Sequence, residues 1–182
     1  ILRNELQMVN YYREVSTYPD CATAIEQIVN EAVIVDEAKP PVSINLENLP
    51  KEYTKLKKTL QNEFEYILSL YSFNENCHDL FKRWYIDGRL YYFVMIDPKT
   101  PKKGILDVKY IDPRKIKKIT AVKKEKDENG IDIVKDVEEY YLFNDEGLLN
   151  TTQGIKLSPD SIVDVKSGLV DANTGEVISH LF

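Results

Sequence analysis

Beyond its carboxylates and lysines, the chain carries few side chains suited to chemistry: two histidines and two cysteines. His78 has Glu75 and Asp79 close by, but no second His or Cys stands at ligand spacing, so no zinc site is expected. Cys21 and Cys77 lie far apart and fit no metal or redox spacing; small buried hydrophobes is the simpler reading. Neither cysteine has a His at a diagnostic local spacing, and there is no Gly-x-Ser-x-Gly elbow for a serine nucleophile. Seven scattered glycines do not make a phosphate loop. The paired acids Glu138-Glu139 and Asp145-Glu146 are sequence neighbours. Neighbours on a strand point to opposite faces, so such pairs do not converge on one substrate. Asn150-Thr151-Thr152 fits a glycosylation triplet but stands without a secretory signal. These residues predict no catalytic set, no cofactor site, no metal site and no enzyme.

The sharpest charged feature is basic. Between Lys102 and Lys126 stand Lys102, Lys103, Lys109, Arg114, Lys115, Lys117, Lys118, Lys123, Lys124 and Lys126, against Asp107, Asp112 and Glu125. Such cations can replace the counterions condensed on a nucleic acid, and Tyr110 could add a stacking face. The competing reading is a solvated strand face whose lysines discourage edge pairing. Acids from Asp127 to Glu139 would then lie across a hairpin and neutralise the lysines. Overall the chain carries a net charge of -6, which disfavours a protein built mainly to coat nucleic acid.

The elements that would position these residues follow from periodicity. Leu2, Leu6 and Val9 predict a helix over 4–16. Pro19 and Asp20 suit the first turn of a second helix, 19–34, with Ala24, Ile25, Ile28, Val29, Ala32 and Val33 on its apolar stripe. Val42 to Leu46 alternates and reads as a short strand. Pro50 opens the strongest helix, where Tyr53, Leu56, Leu60, Phe64, Ile67, Leu68 and Tyr71 share one face. Asn74 is the expected N-cap of a fourth helix. Cys77, Leu80, Phe81 and Trp84 form its core face, and Gly88 its left-handed stop. After Gly88 the period becomes extended. Strands are predicted at 90–96, 105–111, 116–123, 131–143, 155–157 and 162–165, with a hairpin turn around Asn129-Gly130 and a further turn at Asn173-Thr174-Gly175.

Helices first and strands second predict an α+β fold, with N-terminal helices packed on a C-terminal, mostly antiparallel sheet. A chain of 182 residues, 43% hydrophobic and 30% charged, can bury a core without disulfides. No apolar run is long enough to span a membrane. Ile1 is not an initiator Met, and the apolar run to Phe182 has no cap or turn after it. Both ends therefore read as cut from a larger chain.

One local device occurs twice. Tyr85-Ile86-Asp87-Gly88 and Tyr110-Ile111-Asp112-Pro113 each place an aromatic and a β-branched residue before an acid and a breaker. The aromatic clusters Trp84-Tyr85 and Tyr91-Tyr92-Phe93 either join helices to sheet or line a partner groove.

These segments belong to a longer pattern. Tyr11-Tyr12-Arg13-Glu14 with Tyr18-Pro19, Ala24-Ile25 through Ile28-Val29-Asn30-Glu31-Ala32-Val33, Phe81 through Tyr92, Pro101-Lys102-Lys103-Gly104-Ile105 and Tyr110 through Ile116 follow one another in order. Together they resemble the portal vertex protein of T-even-like tailed bacteriophages. The resemblance implies a single wing-like region over 1–182, helical to about 88 and sheet-forming beyond. It implies a subunit of a twelve-fold ring at one capsid vertex of the virion, assembled in the host cytoplasm. Such a ring is a conduit for packaging and ejecting double-stranded DNA and seeds head assembly. Its implied partners are other copies of itself, the major capsid protein, the packaging ATPase (terminase) and neck proteins. The alternative, from the residues alone, is a nucleic-acid-binding α+β module using the basic hairpin Lys102–Lys126.

Overall fold

The computed structural model describes residues 5–34, 40–126, 132–148 and 153–181, except that no side-chain detail is given for residues 124, 126, 132 and 135. Among the described residues four helices come first: α1 (Glu5–Val15), α2 (Pro19–Ala32), α3 (Thr54–Leu70) and α4 (Phe73–Asp87). Six strands follow: β1 (Arg89–Ile96), β2 (Ile105–Ile111), β3 (Ile116–Lys126), β4 (Asp132–Phe143), β5 (Ile155–Leu157) and β6 (Ile162–Lys166). The α+β architecture is the one expected from the order of periodicities.

The strands form two three-stranded sheets, β2-β1-β6 and β3-β4-β5, rather than one. All four strand pairings are antiparallel. Asp112 to Lys115 carries the chain from the first sheet to the second, since Pro113 cannot donate to a ladder. Ile111 and Ile116, on either side of this turn, bury together with Tyr91 and Tyr141, so one apolar cluster spans both sheets. Tyr91 and Tyr141 meet edge-on at 6.1 Å.

The helices pack by their apolar stripes. Leu6, Val9 and Tyr12 of α1 and Ile25 and Val29 of α2 are buried, both helices against α4. The aromatic residues near Gly88 join helices to sheet: Tyr92 on β1 contacts Tyr71 at 4.8 Å and Tyr110 on β2 at 5.8 Å. Trp84 is half-buried against Phe81 at 5.6 Å and His180 at 4.5 Å.

Two local expectations are corrected. Val42 to Leu46 forms no strand; its alternation finds no neighbouring strand to supply ladder hydrogen bonds. The N-cap of α4 is Ser72, not Asn74; Ser72 takes a left-handed φ of 44° that turns the chain sharply between α3 and α4. The strongest expected helix forms as α3, Thr54–Leu70, although none of its residues is fully buried. Near its C-terminal end the Tyr66 hydroxyl donates to the Ile105 carbonyl at 2.9 Å, and Tyr71, just after the helix, meets Tyr92. The Asn129-Gly130 turn, the Asn150 triplet and the proposed helix start at Asn4 lie outside the described residues.

Candidate functional site

The two copies of the Tyr-Ile-Asp device converge on one side chain. On α1, Leu6, Val9 and Tyr12 face inward, and Arg13 follows Tyr12 at the margin of that face. α4 ends at Asp87 because Gly88 takes φ 71°, a left-handed conformation that glycine adopts without Cβ strain. β2 ends at Ile111, which leaves Asp112 at the first position of the turn into β3. Arg13 reaches both acids. Its Nε and Nη2 donate to Asp87 Oδ1 and Oδ2 at 2.8 and 2.7 Å, and its Nη1 donates to Asp112 Oδ2 at 2.9 Å.

Asp112 receives a second guanidinium. The Arg114 amide and Nε donate to Oδ1 at 2.9 and 3.0 Å, and Nη2 donates to Oδ2 at 2.8 Å. Burial would raise the Asp112 pKa, but the hydrogen bonds from Arg114 and Arg13 outweigh it and hold the carboxyl well below the usual range. Asp87 is only 1% exposed. There burial wins and pushes the carboxyl up, against the pull of Arg13. The Arg13 guanidinium is held more firmly protonated than usual by its bond to Asp87 and, after the opposing cost of burial, its bond to Asp112.

Beside this pair of acids, Arg13, Arg83, Ile86, Asp87, Tyr110 and Asp112 line a cleft of about 410 Å³. The Arg83 guanidinium lies 5.1 Å from the centre of the Tyr110 ring, and burial pushes the Tyr110 hydroxyl up to about 12. Both oxygens of Asp87 and of Asp112 already accept arginine hydrogen bonds, so neither is poised as a general base. The arrangement ties together three segments far apart in sequence.

A second anchor fixes the C-terminal segment. Arg89, buried at the start of β1, donates from Nη2 to the Val177 carbonyl at 2.5 Å and pairs with Glu5. The Ser167 amide donates to the Gly88 carbonyl at 2.7 Å. The Tyr85 carbonyl accepts from the Ser179 hydroxyl at 3.0 Å and from the His180 amide at 3.2 Å. A Cβ on Gly88 would stand 2.6 Å from the Ile178 carbonyl oxygen, so close approach as well as positive φ calls for glycine there.

The residues weighed for chemistry do not come together. Cys77 is buried in α4, while Cys21 is half-buried on α2. His78 bonds Asn30 at 2.9 Å, and His180 stacks on Tyr85 at 5.2 Å. Among the described residues no group of His, Cys, Asp or Glu could hold a metal ion, and no described helix is long and apolar enough to cross a membrane. Three lysines of the basic segment pair with acids. Lys118 pairs with Glu139 at 2.8 Å, Lys123 with Glu138 and Asp136 at 3.5 and 3.6 Å, and Lys115 with Asp145 at 2.7 Å. The side chains of Lys124, Lys126 and Asp132 lie outside the described residues. Lys118 and Lys123 of the basic arm are thus paired across the ladder.

A family model described as "Bacteriophage T4-like portal protein (Gp20)" matches residues 5–182. The portal protein of Salmonella phage ViI is 27% identical over 176 residues, which cover 93% of this chain and 31% of that protein. The portal protein of Vibrio phage KVP40 is 26% identical over 173 residues, covering 90% of this chain and 33% of its own length. The chain thus spans about a third of the length of the curated relatives it matches. The clamp geometry suits a structural protein, the blocks around Arg13, Asp87 and Asp112 lie inside the matched span, and the match runs over nearly all of the sequence: the chain belongs to the bacteriophage T4-like portal protein family.

Proposed function

We propose that residues 1–182 form the outer, wing-like region of a portal subunit, helical to about residue 88 and sheet-forming beyond. In the full-length protein such subunits close into a twelve-membered ring at one capsid vertex. The ring is the conduit through which double-stranded DNA is packaged and ejected, and it seeds head assembly. Its partners are further copies of itself, the major capsid protein, the packaging ATPase and the neck proteins. The ring is assembled in the host cytoplasm and stays in the virion. The observation that carries this reading is the family match over residues 5–182. The geometry supports it: the buried charges of the clamp are committed to holding elements together.

The test is the location and symmetry of the full-length protein. Negative-stain images of the purified protein should show closed rings with a central channel. An antibody raised against residues 1–182 should mark one vertex of each open or disrupted head. Label on every vertex, or none in purified particles, would overturn the reading.

A further inference from the structure

Two exposed helix faces of this chain carry opposite charge and are left unmatched within it. On and just before α3, Lys51, Lys55 and Lys58 recur at intervals of four and three residues and are all exposed. Lys55 and Lys58 stand one turn apart on α3, and Lys51 lies in the short helical turn, Lys51–Tyr53, that leads into it, so three like charges gather at one end of the helix. No carboxylate is paired with any of the three among the described residues.

α2 presents the complement. Asp20, Ala24, Gln27 and Glu31 recur at intervals of four, three and four residues, so they also share one exposed row, about 16 Å long at the helical rise. Ile28 borders it, and Tyr18 and Ile34 are exposed at its two ends. Asp20 and Glu31 have no cationic partner among the described residues; the α2 carboxylate that does is Glu26, paired with Lys82. Ala24 at the centre of the row leaves room for a close helix approach. Both α2 and α3 pack on α4, yet the three lysines and the carboxylate row form no ion pair with each other among the described residues.

The signs select the mode of association. A two-fold contact of α3 with α3 would set lysines against lysines, and one of α2 with α2 would set acids against acids. Opposite charges meet only when α3 of one copy faces α2 of another. That contact is heterologous, and a heterologous contact repeated around an axis closes a ring. We propose that the exposed Lys51, Lys55 and Lys58 at the N-terminal end of α3 seat on the Asp20-Ala24-Glu31 face of α2 in a neighbouring copy of this chain. The inference rests on the portal reading, which supplies the ring.

The experiment uses the full-length protein and the mass of its assemblies at about 0.1 M salt, where exposed charges still act over about 10 Å. One variant carries Lys51→Glu, Lys55→Glu and Lys58→Glu; a second carries Asp20→Lys and Glu31→Lys; a third carries all five. Each single-face variant should raise the protein concentration needed for half-assembly by about tenfold or more, because like charges now meet at the contact. The five-fold variant restores opposite signs and should return to within about threefold of wild type. Since it contains every substitution of the other two, its recovery also shows that none of them prevents folding. Single-face variants that assemble like wild type, or a combined variant no better than either, would overturn this contact while leaving the portal reading intact. A wild type that forms no closed ring would overturn the portal reading, and this contact with it.

Discussion

Arg13 and Asp87, 74 positions apart, are joined by two parallel hydrogen bonds of 2.8 and 2.7 Å, and the carboxylate of that pair is almost wholly buried. A fork-to-fork contact of this kind fixes direction as well as distance, so it sets the angle at which α1 meets the end of α4. The free Nη1 of the same guanidinium then reaches Asp112, which adds the turn between the two sheets to the joint.

Removing the cation should therefore be costly. Arg13→Ala leaves Asp87 buried without its partner, and breaking a buried pair in this way costs about 3–5 kcal/mol. Arg13→Lys should recover only part of the loss, because an ammonium cannot donate along two parallel directions. Chemical denaturation of the three proteins checks the order. A loss under about 1 kcal/mol for Arg13→Ala would mean that the joint is held by packing instead.

The two acids of the joint should respond to pH in opposite directions. Asp112 is depressed, so its contribution is fully present above the ordinary carboxylate pKa of about 3.9 and is lost as pH falls toward its folded value. Asp87 is raised by burial, so its contribution is present below about 3.9 and is lost as pH rises through its folded value. As pH rises from 3 toward about 5, the stability of wild type relative to Asp112→Asn should rise and then level off. Relative to Asp87→Asn it should fall. Thermal melts across that range give both slopes, and slopes of equal sign would contradict the assignment.

How much of this joint could be read from the sequence depends on the range of the interaction. Gly88 as the stop of α4 and Ile105–Ile111 as a strand were legible, because a left-handed stop and a period of two are local properties. The repeated Tyr-Ile-Asp device was visible as a pattern, but only as two element ends. That both acids serve one arginine, 74 and 99 positions away, is written in no local periodicity. Local alternation also misled at Val42 to Leu46, since a strand needs a neighbour that the pattern does not reveal. On α3 the amphipathic stripe was real, but sequence does not say whether the same chain covers it.

His180 predicts a separate, milder pH window. Burial lowers its pKa from the usual value of about 6.5, so the neutral ring is favoured in the folded chain. Its contribution is present above about 6.5 and is lost as pH falls through its folded value. Stability should therefore decline on acidification from pH 7 to 5, and His180→Phe, which still stacks on Trp84 and Tyr85, should flatten that part of the profile. An unchanged profile in the variant would place the titration elsewhere.

Gly88→Ala should be among the most damaging single substitutions in the chain. The left-handed backbone costs an L-residue about 1–2 kcal/mol. The new Cβ would also press on the Ile178 carbonyl oxygen, which is backbone and cannot swing aside. The segment from Ser167 to Leu181 must then move, losing the Ser167 bond to Gly88 and the Ser179 and His180 bonds to Tyr85. Hydrogen exchange should show lost protection at Ser167 and His180 in the variant. Protection equal to wild type would mean that the close approach is not maintained in solution.

The lysines of β3 should contribute little to binding DNA. The register sets Lys118 opposite Tyr141 and Lys123 opposite Asp136, and both ammonium groups reach β4 carboxylates. Cross-strand pairs of opposite charge contribute about 0.2–1 kcal/mol each, so these lysines already have partners that compete with phosphate. Replacing Lys117, Lys118 and Lys123 with Gln should slightly destabilise the hairpin while leaving duplex affinity weak, with a dissociation constant above about 1 µM at physiological salt. Fluorescence anisotropy across a salt series decides the matter. Tight wild-type binding with a steep salt slope that vanishes in the variant would show that this face grips phosphates, and that the ion pairs across the ladder yield when DNA arrives.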